Sequence, residues 1–232
     1  MTNSGWHDYS KYFGDDLLIA GFTNINFPFT PPQDRIKFAR LLGLNSQNIV
    51  KLKQVHSAEI VYARQPGQIL EVDGVITDDF NLTLSIQVAD CIPIYIVDNR
   101  NKIFGLIHAG WRGISKGIIE QSVLKLAEMN SSISAIQILL GPAIRQCCFE
   151  VGPEVSKLFD SKFQNDGKGD RSYLDLQGII VNEYERNGIL AEKISDIGIC
   201  THCSDDYYSF RQNGKRAGRM IAMMGYKSPA KI

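Results

Sequence analysis

Apolar residues in the middle of the chain fall into short, dense runs of the kind that form buried strands. The runs are rich in β-branched side chains and are separated by polar or turn-forming residues. Several are apolar nearly throughout, which is typical of strands covered on both faces. The residues Asp98 to Asn101 predict a hairpin between the last two runs. We expect strands over 48–55, 59–63, 82–90, 92–98 and 102–109.

Apolar residues at helical spacing alternate with these strands. They predict a helix after the proline-rich segment 26–34, with Asp34 as its N-cap. The segment 165–170 is predicted to be an exposed loop, while 216–225 fits a helix or a strand. No change in composition marks a boundary, so we expect one α/β domain over residues 1–232. Further helices are expected over 114–129, 153–163 and 175–187, and further strands over 135–142 and 197–200.

Composition and charge narrow the class of protein. Of 232 residues, 44% are hydrophobic and 22% charged, which is ordinary for a globular protein with a packed core. The 25 basic and 25 acidic residues leave a net charge of zero, so bulk electrostatics do not favour nucleic acid or a membrane as partner. No apolar segment approaches the roughly 20 residues that span a bilayer, and the polar start does not resemble a secretory signal. We expect a cytoplasmic monomer that acts on a small molecule.

Histidine and cysteine stand where predicted strands end. His56 ends one run, Cys91 directly follows another, and His108 ends a third. Functional side chains collect at such ends because the scaffold fixes them while the loop exposes them. Taken alone, each residue is explained as well by ordinary burial. Together, two histidines and one cysteine form a suitable three-ligand set for Zn²⁺, with a fourth position open to water or substrate. His7, in the polar start, is expected to be solvated.

The same trio fits two other chemistries. Two histidines and a cysteine also bind copper in sites with a weak axial methionine, but no methionine lies near these residues in the sequence. Cys91 with His108 as its base fits a thiol hydrolase that needs no metal. Asp90 is hard to explain as core, since an unpaired buried carboxylate is costly. We expect it to orient a ligand or to act as an acid or base.

The remaining cysteines form two short motifs. Five cysteines without a secretory signal argue against a disulfide framework. Adjacent Cys147 and Cys148 cannot easily bind one metal together, so buried turn packing is favoured for them. Cys200 and Cys203 form a single C-x-x-C, a weak indication of metal or redox chemistry, and a local structural role is favoured for Cys203. The stretch 200–220 is also a candidate wall for an anionic or aromatic ligand. Its basic and aromatic residues are Tyr207, Tyr208, Phe210, Arg211, Lys215, Arg216 and Arg219.

Several motifs occur in the order found in one known family. By them the chain resembles the YfiH/YlmD-type proteins, which are called peptidoglycan editing factors, polyphenol oxidases or purine nucleoside phosphorylases. The resemblance runs from about Arg35 to Met220, and its most specific part is ADC followed by HAGWRG. The motifs are KQVHS (53–57), DGVITD (73–78), VADCIPI (88–94), GLIHAGWRG (105–113), LGPAIRQCCFEVG (140–152), YLDL (173–176) and the CT…YYSFRQNGKRAGRM segment.

The resemblance implies a fold, a metal and an activity. The family fold is a single α/β domain, a layered α/β/β/α sandwich with mixed sheets that is grouped with cysteine-hydrolase-like toxins. The family's catalytic zinc is held by residues that correspond here to His56, Cys91 and His108. The associated activity is phosphorolysis of adenosine, inosine and methylthioadenosine, together with adenosine deamination.

We therefore expect a zinc-dependent purine nucleoside phosphorylase with adenosine deaminase activity. Cys91 and Asp90 are the expected catalytic residues. The segment GFTNINFPFTPP lacks an arginine that relatives carry, which keeps open a zinc-stabilised nucleoside-binding protein without turnover. A hydrolase with Cys91 as nucleophile, acting on an amide in a cell-wall precursor, is the other alternative, and a copper oxidase ranks last. Arg35, Arg112 and Arg211 are expected to bind substrate, with Arg112 and Arg211 as the contacts to phosphate or ribose.

Overall fold

The computed structural model describes residues 5–28 and 33–227. The strands of this part of the chain are β1 (Trp6–Asp8), β2 (Leu18–Thr23), β3 (Ile49–Lys53), β4 (Ile60–Tyr62), β5 (Gly67–Leu70), β6 (Gly74–Thr77), β7 (Thr83–Val88), β8 (Ile92–Asp98), β9 (Ile103–Ala109), β10 (Ile136–Leu140), β11 (Glu150–Val151), β12 (Gln164–Asp166), β13 (Ser172–Leu174), β14 (Ile194–Asp196) and β15 (Met220–Tyr226). Its α-helices are α1 (Asp34–Leu41), α2 (Trp111–Ser115), α3 (Ile118–Glu128), α4 (Pro153–Ser156), α5 (Leu176–Arg186) and α6 (Phe210–Asn213).

The strands form two large mixed sheets and one small sheet. The first sheet has the order β1-β2-β15-β7-β3-β5, and the second has the order β14-β10-β8-β9-β6-β4. Most neighbours are antiparallel, but β3 runs parallel to β5 and β7, β6 runs parallel to β4, and β10 runs parallel to β14. The small sheet has the order β11-β13-β12. The expectation of mixed sheets is confirmed.

Three apolar clusters show how the layers stack. Between the two large sheets lie side chains from both, among them Leu84 and Ile86 of β7 and Tyr95 and Val97 of β8. Phe38 of α1 packs on the outer face of the first sheet. Helices α3 and α5 pack on the outer face of the second sheet. The described residues thus have the expected α/β/β/α layering; the single-domain extent and the cysteine-hydrolase-like grouping stay predictions.

The predicted strands in the middle of the chain are present with small changes at their ends. Strands β3, β4, β7, β8 and β9 occupy the five expected runs, and β8 pairs with β9 as the predicted antiparallel hairpin. The ambiguous segment 216–225 overlaps β15, the third strand of the first sheet. Met220 and Ala222 face the layer between the sheets, whereas Ile221 and Met223 face α1, which is the two-residue alternation of a strand.

Several predicted helices are shorter than expected. The helix predicted over 114–129 is divided into α2 and α3 because Gly117 has φ +88°, a left-handed conformation that glycine adopts readily. Of the helix predicted over 153–163, only α4 is α-helical, and a 3₁₀ turn follows at 161–163. Helix α5 confirms the prediction over 175–187. Asp34 is the first residue of α1 rather than its N-cap, a position that Gln33 takes.

Other local predictions were wrong as well. No strand covers 197–200, because β14 ends at Asp196 and Cys200 makes only an isolated bridge with Ala143. The loop predicted over 165–170 begins inside β12, which pairs with β13. Pro31 and Pro32 lie outside the described residues. The strands that were not predicted include β1, β2, β5, β6, β11, β13 and β14. None of the helices in the described ranges has the length and apolarity that crossing a bilayer requires.

Candidate active site

Three strand ends of the two sheets bring the predicted ligand residues together. His56 follows β3, Cys91 lies between β7 and β8, and His108 is the second-last residue of β9. The ligand atoms of the three side chains all lie within 4.8 Å of one another. Sγ of Cys91 is 3.8 Å from Nε2 of His56, and the two imidazole rings meet edge to face at 4.8 Å. The sequence prediction that this trio converges agrees with the structure.

The carboxylate of Asp73 orients both histidines. Its Oδ1 accepts hydrogen bonds from the backbone amide of His56 at 3.0 Å and from Nδ1 of His108 at 2.8 Å. Its Oδ2 accepts bonds from the amides of Val55 and Ser57 and from the Ser57 hydroxyl. Asp73 has no exposed surface, so these five bonds satisfy a fully buried carboxylate. They also hold His56 at φ +58°, an uncommon conformation for a histidine.

Electrostatic coupling changes the pKa values of Cys91, His108 and Asp73. Burial raises the pKa of the Cys91 thiol, but the charge and hydrogen bond of His108 outweigh burial and lower that pKa to about 6. Burial lowers the pKa of His108, but Cys91 and Asp73 outweigh it and raise that pKa to about 9. Burial also raises the pKa of Asp73, yet the bonds from His108 and Ser57 bring it well below its usual range. At neutral pH the metal-free pair is therefore a thiolate beside an imidazolium.

A glycine next to the trio leaves room that any other residue would fill. A Cβ atom at Gly110 would lie 2.9 Å from Sγ of Cys91 and 3.0 Å from Cδ2 of His56. Contacts this short force one of these atoms to move. The glycine of the HAG turn therefore keeps the space between the proposed ligands free.

The donor set fits a metal ion. Sulfur and imidazole nitrogen are ligands of zinc and copper. Because Nδ1 of His108 is bound to Asp73, Nε2 is left as its ligand atom, an arrangement of carboxylate, histidine and metal that recurs in metalloproteins. Three protein ligands beside a cavity leave one position for another molecule.

The trio lies in the wall of a cavity of about 820 Å³. This volume is within the range of small-molecule sites. Among the described residues that line it, Asp90 is the only acidic one, so the wall is strongly basic and suits an anion. The basic residues in the wall are Arg35, Lys51, Lys53, Arg112, Arg211 and Arg219.

The three arginines predicted to bind substrate all line this cavity. Arg35 donates its Nε to the hydroxyl of Ser85 at 3.0 Å. Arg112 is exposed and lies over the ring of Trp111 at 4.3 Å. Arg211 uses Nη1 to bind two backbone carbonyl oxygens of the neighbouring loop, at 3.1 and 2.9 Å. Their contact with a substrate stays a prediction.

Asp90 has hydrogen bonds that suit an orienting role. Its carboxylate accepts bonds from the hydroxyls of Thr201 and Ser209 and from the backbone amide of Arg211. Its φ of +80° places the following residue, Cys91, at the cavity wall. The carboxylate thus joins the turn that carries Cys91 to the segment 201–211. An acid or base role for it stays a prediction.

The proposed wall at 200–220 is only partly present. Phe210, Arg211 and Arg219 line the cavity. Tyr207 instead packs in the core between the large sheets and shares a hydrogen bond of 3.0 Å with Nε2 of His7. The prediction that His7 is solvated is therefore wrong, because His7 is a half-buried member of β1.

The other four cysteines are not separate motifs. The sulfur atoms of Cys147, Cys148, Cys200 and Cys203 all lie within 4.8 Å of one another. The prediction of buried packing for the adjacent pair is wrong for Cys147, which is exposed. The single C-x-x-C therefore has the adjacent pair as partners. Adjacent positions in the sequence also do not prevent Cys147 and Cys148 from sharing one ion, contrary to the expectation, because their sulfur atoms lie 3.5 Å apart, near the separation of neighbouring thiolate ligands of zinc.

Asp73 and Gly110 are the site residues whose roles the sequence interpretation missed. A signal was present for Asp73, which directly precedes the apolar run of β6. The reasoning applied to Asp90, that a buried carboxylate needs partners, applies to it equally. For Gly110 the sequence indicated a tight turn, but the need for space beside two side chains distant in sequence was not visible.

Comparison with known proteins agrees with the resemblance carried by the motifs. The model of the family described as multi-copper polyphenol oxidoreductase laccase matches residues 32–227. A purine nucleoside phosphorylase from Clostridium acetobutylicum is 33% identical over 227 residues, covering 91% of this chain and 93% of the relative. A protein named adenosine deaminase, from an unknown prokaryotic organism, is 28% identical and covers 90% of this chain and 82% of its own length. The crystal structure of YlmD from Geobacillus stearothermophilus superimposes with a TM-score of 0.89 at 25% identity over 98% of both chains.

Proposed function

The chain belongs to the YfiH-type family, the one described as multi-copper polyphenol oxidoreductase laccase, and on this premise we propose that it is a zinc-dependent purine nucleoside phosphorylase that also deaminates adenosine. The observation that carries the proposal is the trio His56, Cys91 and His108 in the wall of a basic cavity of about 820 Å³. The names of two relatives, a phosphorylase and a deaminase, support the choice of reactions. The proposal includes adenosine, inosine and methylthioadenosine as substrates and a monomer in the cytoplasm.

The protein residues of the trio would bind the ion through two nitrogen atoms and one sulfur atom. Zinc in such a site supplies a Lewis acid that polarises an attacking oxygen or the departing base. Asp73 keeps His108 oriented and leaves its Nε2 free for the metal. Gly110 keeps the space between Cys91 and His56 open. Asp90 positions Cys91 by holding its turn against the segment 201–211.

The cavity wall supplies groups for both halves of a nucleoside phosphorolysis. In that reaction an oxygen of phosphate attacks C1′ of the ribose while the bond from C1′ to the purine breaks, and the purine leaves with a proton. Arg112 and Arg211 offer charged donors to phosphate. Phe210 is 48% exposed although it is apolar, and it offers a face on which a purine stacks. In deamination water adds to the carbon that bears the amino group, and ammonia leaves.

The deciding experiment combines metal analysis with chromatography of adenosine incubated with and without phosphate. The proposal expects adenine only when phosphate is present, and inosine in both cases. Replacing Cys91 by alanine is expected to remove zinc from this site and both activities. A Cys91→Ala protein that kept this zinc and its phosphorylase rate would overturn the proposal.

A thiol hydrolase is the second candidate, and the thiolate of Cys91 beside His108 is the observation in its favour. It requires activity on an amide after thorough removal of metal.

A nucleoside-binding protein without turnover requires thermal stabilisation by adenosine and no product. The described lining of the cavity has no methionine, and the other two histidines, His7 and His202, do not line it, which disfavours a copper oxidase.

A further inference from the structure

Four of the five cysteines lie together outside the proposed active site. Cys148 is 3.1 Å from Cys203 and Cys147 is 3.7 Å from Cys203, while the adjacent pair is separated by 3.5 Å, all measured between sulfur atoms. Cys200 completes the group, whose four sulfur atoms lie within 4.8 Å of one another. We call Cys147, Cys148, Cys200 and Cys203 the cysteine quartet.

Backbone pairing between two loops builds the quartet. Ala143 forms an isolated parallel bridge with Cys200. The amide of Ala143 donates to the carbonyl of Ile199, and the amide of Thr201 donates to the carbonyl of Ala143. This bridge aligns the loop after β10 with the loop after β14. A turn closed by the amide of Cys148 on the carbonyl of Arg145 then brings the adjacent pair to the quartet. On the other loop, the amide of Ser204 bonds to the carbonyl of Cys200, which closes the C-x-x-C turn.

The distances suit a tetrahedral metal. Zinc binds thiolate sulfur at about 2.3 Å, so neighbouring ligands of a tetrahedral zinc are separated by about 3.8 Å. The three sulfur separations given above, 3.1 to 3.7 Å, are near this length and far from the roughly 2.05 Å of a disulfide. Four sulfur ligands without a nitrogen or oxygen are typical of structural zinc.

We propose that the cysteine quartet binds a second, structural zinc ion. A disulfide between Cys148 and Cys203 would use two of the four sulfur atoms and would need an oxidant, whereas one ion binds all four. Four protein ligands leave no position for substrate, so this ion has no direct part in catalysis. The proposal does not rest on the proposed nucleoside chemistry.

The quartet lies directly behind the cavity wall. Arg211 donates Nη1 to the carbonyl of Cys148, and Phe149, the next residue, lines the cavity. Thr201, between Cys200 and Cys203, donates its hydroxyl to Asp90 at 2.7 Å. A zinc ion in the quartet therefore fastens the two loops that carry Phe149 and the partner of Asp90.

The first test is metal content by mass spectrometry of protein purified under reducing conditions. Wild type is expected to hold two equivalents of zinc and the double variant C147S/C203S one, because both replaced residues are exposed and serine is a poor zinc ligand. A His56→Ala variant is expected to keep the quartet's equivalent, which separates the two sites. Asp205→Asn, an exposed change in the same turn, is the matched control and is expected to hold two equivalents.

A second measurement covers the case in which the double variant fails to fold. Native wild-type protein is alkylated before and after a chelator is added, and the labelled peptides are identified. The proposal expects the peptides of all four quartet cysteines to be protected until the chelator is added. The proposal is overturned if the quartet cysteines are labelled without a chelator, if they bind iron in place of zinc, or if they form a disulfide in the purified protein. Unchanged metal content in a folded C147S/C203S protein would overturn it as well.

Discussion

The carboxylate of Asp73 lies 2.8 Å from Nδ1 of His108, and the two residues are also joined through the backbone, where the amide of His108 donates to the carbonyl of Asp73 at 2.7 Å. Asp73 thus holds His108 at two points, the ring through Nδ1 and the backbone through its amide, and His108 is only 4% exposed. The orientation of this imidazole is thus decided before any ion binds. The same carboxylate oxygen fixes the backbone of His56.

Replacing Asp73 by asparagine is expected to weaken zinc binding at the trio by about 10-fold to 100-fold, because an amide cannot accept all five hydrogen bonds. A zinc competition with a coloured chelator measures the change. Asp98→Asn is the matched control, since Asp98 is equally buried but lies in the hairpin between β8 and β9. Equal zinc affinity in Asp73→Asn and wild type would contradict the role given to Asp73.

Replacing Gly110 by alanine is expected to lower the zinc affinity of the trio and the phosphorylase rate together. The new methyl group would be 2.9 Å from Sγ of Cys91, so the sulfur or the ring of His56 must move. Gly105→Ala is the control on β9, the strand that precedes Gly110, because its Cβ would meet the side chain of Ile76 at 2.8 Å. We expect this control to lower the melting temperature while its zinc content stays that of wild type. Wild-type zinc affinity in Gly110→Ala together with zinc loss in Gly105→Ala would exclude the role given to Gly110.

Alkylation of Cys91 in metal-free protein is expected to reach half its maximal rate at a pH of about 6. The pKa is lowered in the folded protein, so the thiolate predominates above this pH and is lost as the pH falls through it. Quantifying the Cys91 peptide separates this reaction from that of the other cysteines. In His108→Gln the midpoint is expected to rise, since the charge and hydrogen bond of His108 are gone while burial remains. An unchanged midpoint would show that His108 does not set it.

Replacing Arg112 by alanine is expected to raise the KM for phosphate by about tenfold to hundredfold, the effect of losing one charge-assisted hydrogen bond. The kcat is expected to change less. Arg64→Ala is the matched control, because Arg64 also lies over an aromatic ring, that of Tyr62, but does not line the cavity. Steady-state kinetics with phosphate varied at saturating inosine measure both constants. Equal effects of the two replacements would argue against a phosphate contact.

Replacing Asp98 by asparagine is expected to reduce the free energy of unfolding at pH 7 by about 1–2 kcal/mol. Burial raises the pKa of Asp98, but bonds from Ser131, Asn101 and Arg100 lower it overall. Because the pKa is lower in the folded than in the unfolded chain, the charge stabilises the protein above pH of about 4 and this contribution is lost on acidification below it. Urea unfolding from pH 7 to 3 is expected to show a smaller loss of stability for the variant than for wild type.

Local patterns predicted four of the six strands of the second sheet, missing β6 and β14, and fewer strands of the first sheet. The runs that became β8 and β9 are apolar throughout, and a turn of Asp98 to Asn101 joins them, so both signals agree. Strand β2 contains Gly21, which weakens its strand signal. The structure requires that glycine, because a Cβ there would be 2.7 Å from Leu42 and 2.9 Å from Phe38 of the covering helix region.

The candidate site was predictable as residue types but not as geometry. His56, Cys91 and His108 were visible because each interrupts an apolar run at its end. Asp73 reaches His108 only because β6 pairs with β9 in a register that sets Gly74 opposite Ile107. Such a register depends on tertiary packing between distant segments, which periodicity in one segment does not define. The cysteine quartet depends in the same way on the bridge between Ala143 and Cys200.

The place of β15 has a consequence for the order in which the molecule assembles during synthesis. Strand β15 lies between β2 and β7, yet it is the last of the described strands to leave the ribosome. The strands of the second sheet end at Asp196 and are all made before it. The second sheet therefore has its complete set of strands before the first sheet does, while β2, which pairs with β1 on one side, waits for its second partner, encoded about 200 residues later. Since β7 leads into the turn of Cys91, the sheet that carries this turn has all its described strands only after nearly the whole described chain has been translated.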